Sequence, residues 1–461
     1  MVSARPGQAG GTVAARGGTA PVGWWPLVVI TAITLVDRID TYVVSGVLPL
    51  LQDEWGFSDT AGGAIPLAIS IAGLAVALPA GYLADRYRRT RLLAMVVAAW
   101  SVITMFSGLA TSFAMFFITR IVLGAADSLD IPSQSSLFGD YYPPAERAKA
   151  YGIHRMVYFA GAGLGVLHGG VIGGLFGWRA AFFVIIVPGL LVAWFAWRLR
   201  EPARGAIDRS HAGSVLGEAG EGSGASGDPP SGPGEPLVAG SGWSGLRRQI
   251  GALWRSRTIR LLLVGVPVFF LGLNGFVYWL PSYLTRTWGV GESRAGLLSS
   301  LVLVVGVIGG TLAGAALDRR IHDRLPGGRV LAGGGGMLAG SLLLIAGLRT
   351  PSLVVQVGLL TVAVALLAVA IPTLFAASAD CLHHSLRGIG FAMLQVGITL
   401  GSSLGPLIIG AVSDATGSLT ASFMVLGVPM AAAAAIVLAG RSGYERDARH
   451  VLMLTSREGI T

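Results

Sequence analysis

The chain has 461 residues, 53% of them hydrophobic and only 12% charged, with a mean hydropathy of +0.69. Soluble domains are about 25% charged, so this composition excludes a soluble globular protein and points to a polytopic membrane protein. The net charge of +9 does not indicate nucleic acid, because the basic residues collect in short joints between apolar runs, and the single cysteine, Cys381, excludes an intrachain disulfide or a cysteine-based metal site.

Residues 1–22, rich in Gly, Ala and Arg, lack the apolar core of a signal peptide and read as a disordered cytoplasmic tail. The first bundle of apolar segments, at roughly 20 residues per crossing, occupies residues 23–200, with segments near 24–51, 60–84, 91–110, 113–139, 148–175 and 178–199. The first of these opens on Trp24 and Trp25 as interfacial anchors and carries Asp37, Arg38 and Asp40 at membrane depth. Each such charge costs on the order of 3 kcal/mol on insertion scales and is tolerated only against protein or a water-filled cavity. Residues 201–255 then turn polar, with a Gly/Ser/Pro/Glu-rich run that reads as a flexible cytoplasmic linker. Six further segments follow within 256–440, near 257–285, 294–317, 329–348, 352–380, 387–414 and 418–440, and a basic cytoplasmic tail spans 441–461.

Arginine sets the expected orientation. RYRRTR, ERAK, the linker, DRRIHDR and HHSLR fall on alternate joints, so both termini are expected in the cytoplasm and the chain in the plasma or inner membrane. Arg179, Arg286, Arg294 and Arg349 break the pattern. The two halves also repeat. Gly81 and Gly314, each opening a run that ends in Asp-Arg, stand at nearly the spacing that separates Gly152 from Gly388 and Gly165-xxx-Gly169 from Gly401-xxx-Gly405. The expected fold is therefore all-α: twelve transmembrane helices in two pseudo-symmetric six-helix bundles, the plan of alternating-access transporters with a midplane site between the halves.

GYLADRYRRTR, with its degenerate copy GAALDRR, resembles the signature loop of the major facilitator superfamily, and the likeness covers about residues 24–440. Within it, VDRIDTYVVSGVLP, FGDYYPPAERAKAYGI, YWLPSYLTRTWGV and GVIGGTLAGAALDRR resemble the Spinster-type lipid transporters. That resemblance implies transport of lysophospholipid-like or other amphiphilic molecules, with proton coupling in some members. The organic-anion symporters share the Asp-Arg pair and a Gly-Glu-Ala run, here Gly124-Ala125-Ala126-Asp127, and Gly165 to Gly174 resembles the helix-five motif of proton-driven drug antiporters without its proline.

Asp37 and Arg38 are the first coupling candidates. Burial favours a protonated carboxyl and a neighbouring guanidinium the ionised one, so the two states lie close in energy; the alternative is a static clamp. Asp40 is a turn away. Arg120, Asp127 and Asp130 follow at helical spacings of seven and three on segment four, which in this fold lines the N-half cavity with segment one. Asp127 and Asp130 are expected as coupling partners and Arg120 as an anion ligand. Arg155 is a further anion ligand or a plain interfacial anchor. Asn274, Phe276 and Tyr278 on segment seven and Gln395 on segment eleven are candidates for the opposite wall. His168, alone among glycines, is expected to be a packing residue. Gly81, Asp85, Arg86 and Arg89, with Asp318 and Arg319 in the copy, are read as a cytoplasmic gate in which Asp85 caps a helix of the other half.

No nucleophile elbow, paired catalytic His/Asp, metal-ligand cluster or Walker motif is found, so the reading is a secondary transporter rather than an enzyme, without metal or cofactor. The expected partners are the substrate, protons and membrane lipid, with the chain a monomer. A membrane-embedded lipid-modifying enzyme is the distant alternative.

Overall fold

The computed structural model describes residues 23–203, 243–321 and 324–458. These residues are helical, without strands. The N-terminal bundle comprises α1 (Trp25–Trp55), α2 (Asp59–Arg86), α3 (Arg89–Gly108), α4 (Phe113–Asp127), α5 (Asp130–Tyr141), α6 (Pro144–Phe176) and α7 (Trp178–Trp197). After α8 (Trp243–Leu253), the C-terminal bundle comprises α9 (Arg257–Trp288), α10 (Glu292–Ile321), α11 (Gly328–Gly347), α12 (Leu353–Ala368), α13 (Ala370–Asp380), α14 (His384–Thr416) and α15 (Leu419–Ala439), followed by α16 (Arg441–Glu458).

Ten stretches among the described residues are long and apolar enough to cross a membrane. The two crossings that fall short do so for local reasons. Helix α1 carries its three charges near its middle. The fourth crossing is split into α4 and α5 at Ser128–Leu129, because Pro132 has no N–H to give to the Ser128 carbonyl. The second bundle breaks at the matching place: Pro372 withholds a donor from Ala368, and the chain divides into α12 and α13 at Val369. The repeat thus extends from motifs to helix defects.

Helix ends repeat as well. Gly56 (φ 64°) caps α1 and Gly289 (φ 62°) caps α9, both left-handed, where a side chain would be strained. Small residues set the helix pairing. Helix α1 lies on α6, with a Cβ at Gly165 meeting the Ile39 carbonyl and one at Gly169 the Val43 carbonyl. The copy is α9 on α14, with Gly401 against Pro267 and Gly405 against Leu271. The other face of α6 crosses to the second bundle, where Gly170 meets Gly296 of α10 and Gly174 meets Ser293. Helix α2 crosses similarly to α14, Gly63 against Pro406 and Gly410 against Asp59. These crossings join the bundles at the end opposite the termini, and one apolar core runs through them from Val43 and Val47 to Tyr278 and Trp279.

Two segments differ from the sequence reading. The end of the expected linker forms α8, and the expected tail forms α16. Helix α16 is held by buried Tyr444 and by Asp447, whose carboxylate accepts from the Ser256 hydroxyl (2.8 Å) and the Thr258 N–H (3.0 Å). Burial pushes the Asp447 carboxyl up, but these bonds and Arg446 outweigh it and hold it below the usual carboxylate range. Residues 1–22 and most of the linker lie outside the described residues.

Candidate substrate cavity

Between the bundles lies a cavity of about 420 Å³, in the size range of pockets for drug-sized molecules. Arg38, Thr41 and Tyr42 of α1, Asp127 of α4 and Tyr158 of α6 face Asn274 and Tyr278 of α9 and Gln395, Thr399 and Ser402 of α14. A smaller, more apolar lobe shares Tyr42, Tyr158, Asn274, Gln395 and Ser402, and continues between Phe270, Leu303, Val364 and Phe375, with Arg155 on its wall. The Tyr42 hydroxyl donates to Asn274 Oδ1 across the bundles (2.9 Å), and Asn274 Nδ2 donates to Ser402 (3.0 Å).

The six acidic and basic residues singled out on the first and fourth crossings fall into four arrangements. Arg38 turns back onto its neighbour, with Nη2 and Nε donating to Asp37 Oδ2 at 2.5 and 2.9 Å, and its guanidinium lies 4.8 Å from the Tyr158 ring centre. Asp127 lines the cavity, and its Oδ1 is buried with no hydrogen-bond donor among the described residues. Asp40 and Arg120 instead pair with each other inside the N-terminal bundle (3.3 Å), Asp40 also accepting from Thr104 and Arg120 donating to Ser107. Arg120 is fully buried, its guanidinium between Phe116 and Phe182. It therefore has no access to a substrate, contrary to its expected place in the cavity. Asp130 accepts from Gln134 (2.9 Å), whose Oε1 accepts from Thr34 (2.8 Å). Asp127 and Asp130, on either side of the break at Ser128–Leu129, both lie near Asp37 and Arg38, but only Asp127 lines the cavity.

On the opposite wall, Asn274 and Gln395 line the cavity. Phe276 does not; it is buried in the C-terminal bundle against Phe423, 5.2 Å between ring centres. Tyr278 is only marginally exposed and ties the bundles together: its hydroxyl donates to the Gly62 carbonyl (2.9 Å) and its carbonyl accepts from Ser45 (2.5 Å). Arg155 is exposed, with Tyr158, Phe159 and Phe375 ring centres at 5.4, 5.8 and 5.6 Å from its guanidinium carbon. His168 bonds to the Ala181 carbonyl (2.7 Å), a packing role.

At the end opposite the termini the bundles are latched. Arg286 donates to both Asp59 oxygens, each at 2.7 Å, and to Gln52 (2.9 Å). Asp59 also accepts from Ser413, while Asp414 accepts from the N–H and hydroxyl of Thr60. The proposed gate residues sit at the other end. The surroundings of Gly81 and the side chain of Asp85 lie outside what is described, so the expected cap by Asp85 does too. Arg86 is exposed on Tyr82, and Arg319 is exposed. Arg89 is buried and bound to Asp140 and Glu201 within its own bundle, and Asp318 binds Arg329 (2.9 Å), which also binds Asp380.

Sequence reasoning passed over Tyr42, Tyr158 and Ser402. The first two were signalled by polar aromatics at helical spacing from Arg38 and Arg155; a serine in a Gly/Ser run had no such mark.

Two bundles related by an internal repeat, joined at one end and enclosing a charged cavity between them, have the plan of a membrane transporter. The chain belongs to the Major Facilitator Superfamily, whose family model matches residues 30–380. It is similar to a probable sulfoacetate transporter, SauU, of Cupriavidus necator (27% identical; 86% of this chain, 87% of the relative). It is also similar to a gallate transporter of Pseudomonas putida (28%; 92% of each). A solved bacterial homologue of the human lysosomal transporter Spinster, inward-facing and unoccupied, shares the fold with a TM-score of 0.73 at 23% identity, over 95% of this chain and 99% of that one.

Proposed function

We propose that this protein is a proton-coupled secondary transporter that works by alternating access on an amphiphilic organic anion. The observation that carries the reading is Arg155. Its guanidinium faces the cavity among three aromatic rings and has no carboxylate partner among the described residues. Such a cation is suited to a carboxylate or sulfonate, and the rings and apolar lobe suit the rest of an amphiphile. The two relatives that match nearly end to end are named for gallate and sulfoacetate. A lysophospholipid is the second reading, favoured by the apolar lobe and the Spinster-like fold.

Proton coupling is assigned to Asp127 with Asp37 and Arg38. An ionised Asp127 competes with Asp37 for Arg38, and a protonated one releases it, so the position of one guanidinium follows the proton. Asp130 and Asp40 support the surrounding helices. Both termini are assigned to the cytoplasm of a cell-membrane protein, with the Asp59–Arg286 latch outside. The chain works as a monomer.

The test is uptake into proteoliposomes under an imposed pH gradient. The panel holds aromatic carboxylates, small sulfonates, hexuronates, lysophospholipids and cationic drugs. An anion should accumulate, and Asp127→Asn should abolish gradient-driven accumulation while keeping counterflow. Accumulation of lysophospholipid alone overturns the first reading for the second; conversion of lipid without uptake points to an enzyme.

A further inference from the structure

A second cavity, of about 570 Å³, opens on the C-terminal bundle at the same end as the termini and away from the bundle interface. Its walls are Arg257 at the start of α9, Pro326 before α11, Leu438 and Ala439 at the end of α15, and Arg441, Ser442 and Glu445 of α16. We propose that it binds the headgroup of an acidic phospholipid.

The cavity sits where two membrane crossings end and a polar helix begins, which is the level of lipid headgroups. Leu438 and Ala439 supply an apolar lip, and the two arginines a cationic floor. The Arg257 stem passes beside Gly443, where an added Cβ would come 3.5 Å from the Arg257 Cβ, and its head is exposed. Arg441 donates its Nε to the Pro326 carbonyl (3.1 Å), which leaves its two terminal nitrogens for a ligand. Arg257 has no carboxylate partner among the described residues. The one acid on the wall, Glu445, is engaged: it accepts from the Gly327 N–H (2.9 Å) and lies 3.9 Å from Arg449. Beyond the cavity, α16 exposes Leu452 and Met453 beside Arg446 and Arg449, a composition that rests on an anionic bilayer surface. A basic pocket between crossing ends is a recurring headgroup site, and two phosphate contacts from converging arginines supply the specificity that surface charge alone lacks.

The experiment is native mass spectrometry of the full chain, with thermal unfolding in detergent supplemented by phosphatidylglycerol, phosphatidylcholine or glycerol 3-phosphate. Phosphatidylglycerol should remain bound at about one molecule per chain and raise the unfolding temperature, and the other two should not. Arg257→Gln/Arg441→Gln should lower phosphatidylglycerol occupancy at least tenfold, whereas Arg446→Gln/Arg449→Gln, outside the cavity, should leave most of it. If the double cavity variant does not fold, Ser442→Trp, which fills the exposed mouth, must reduce occupancy in its place. Equal loss in the α16 variant, equal stabilisation by phosphatidylcholine or glycerol 3-phosphate, or unchanged occupancy when the cavity is altered each overturns the proposal.

Discussion

Asp59 of the N-terminal bundle and Arg286 of the C-terminal bundle form a two-pronged ion pair across the bundle interface, with both oxygens engaged at 2.7 Å. Each lies three residues from a left-handed glycine at a helix end, Asp59 opening α2 after Gly56 and Arg286 in the last turn of α9 before Gly289, so the pair is placed by the two copies of the repeat. Arg286 is 42% exposed, so solvent screening leaves the pair about 1 kcal/mol. Arg286→Gln should shift the balance between the latched and unlatched forms by about fivefold. Distances between spin labels on the two bundles at this end check it: the longer-distance population should grow, and an unchanged distribution refutes the latch.

The Asp40–Arg120 pair is predicted to act on stability. It is buried, and removing one partner strands the other in a site where Arg120 Nε already lacks an acceptor. Asp40→Asn should cost about 3–5 kcal/mol, and the double variant Asp40→Asn/Arg120→Gln less than the two single losses together. Thermal unfolding in detergent measures both. Wild-type stability with lost proton-driven uptake would move Asp40 into the coupling machinery instead.

Arg155 should control affinity for the anion. Loss of a charge-assisted hydrogen bond of about 1.5–3 kcal/mol corresponds to a rise in transport KM of about 10–100-fold for Arg155→Gln. Arg155→Lys should fall between, because an ammonium keeps the charge but not the planar fork. Uptake kinetics at fixed pH gradient decide, and an unchanged KM returns Arg155 to the role of an anchor.

Glycine positions divide by what surrounds them. A Cβ at Gly405 collides with the Leu271 carbonyl, while one at Gly358 meets nothing within 4 Å. Gly405→Ala should therefore destabilise by about 1–3 kcal/mol, and Gly358→Ala should stabilise by about 0.5–1 kcal/mol. The two unfolding temperatures should move in opposite directions.

Glu201, outside the crossings, accepts from the Thr90 N–H and hydroxyl (2.9 and 2.8 Å) and from Arg89 (2.9 Å). Burial pushes its carboxyl up, but these donors outweigh burial and hold it below the usual range. Its contribution is thus complete above the unfolded value of about 4.3 and is lost as pH falls through the folded one. The gap in unfolding temperature between wild type and Glu201→Gln should be widest near neutral pH and close on acidification below about pH 4. A gap that widens in acid contradicts the assignment.

The arginines at odds with the charge pattern show how tertiary structure re-reads a local signal. Arg179 and Arg286 stand on the joints expected to be poor in arginine, and each is neutralised there by an acid of the other end of the same surface, Glu54 (2.7 Å) or Asp59. The sequence displayed both acids as a polar joint, without their partners. The same holds for Asp140 and Asp380, partly buried partners of Arg89 and Arg329, which lie far from those arginines along the chain.

What the sequence determined by itself is the number and kind of crossings, the internal repeat, and the glycine faces on α6 and α14. These follow from hydropathy and period, which act over a few turns of one helix. It also singled out Arg38, Asp127, Arg155, Asn274 and Gln395, all of which line the cavity. Only the tertiary structure put Asp127 rather than Asp130 on the cavity wall, withdrew Arg120 and Phe276 into the bundle cores, and docked α16 through Asp447. The reason is physical. Whether a charge at membrane depth faces a cavity or a counter-charge depends on which helix lies opposite, and that is set by packing between segments distant in the chain.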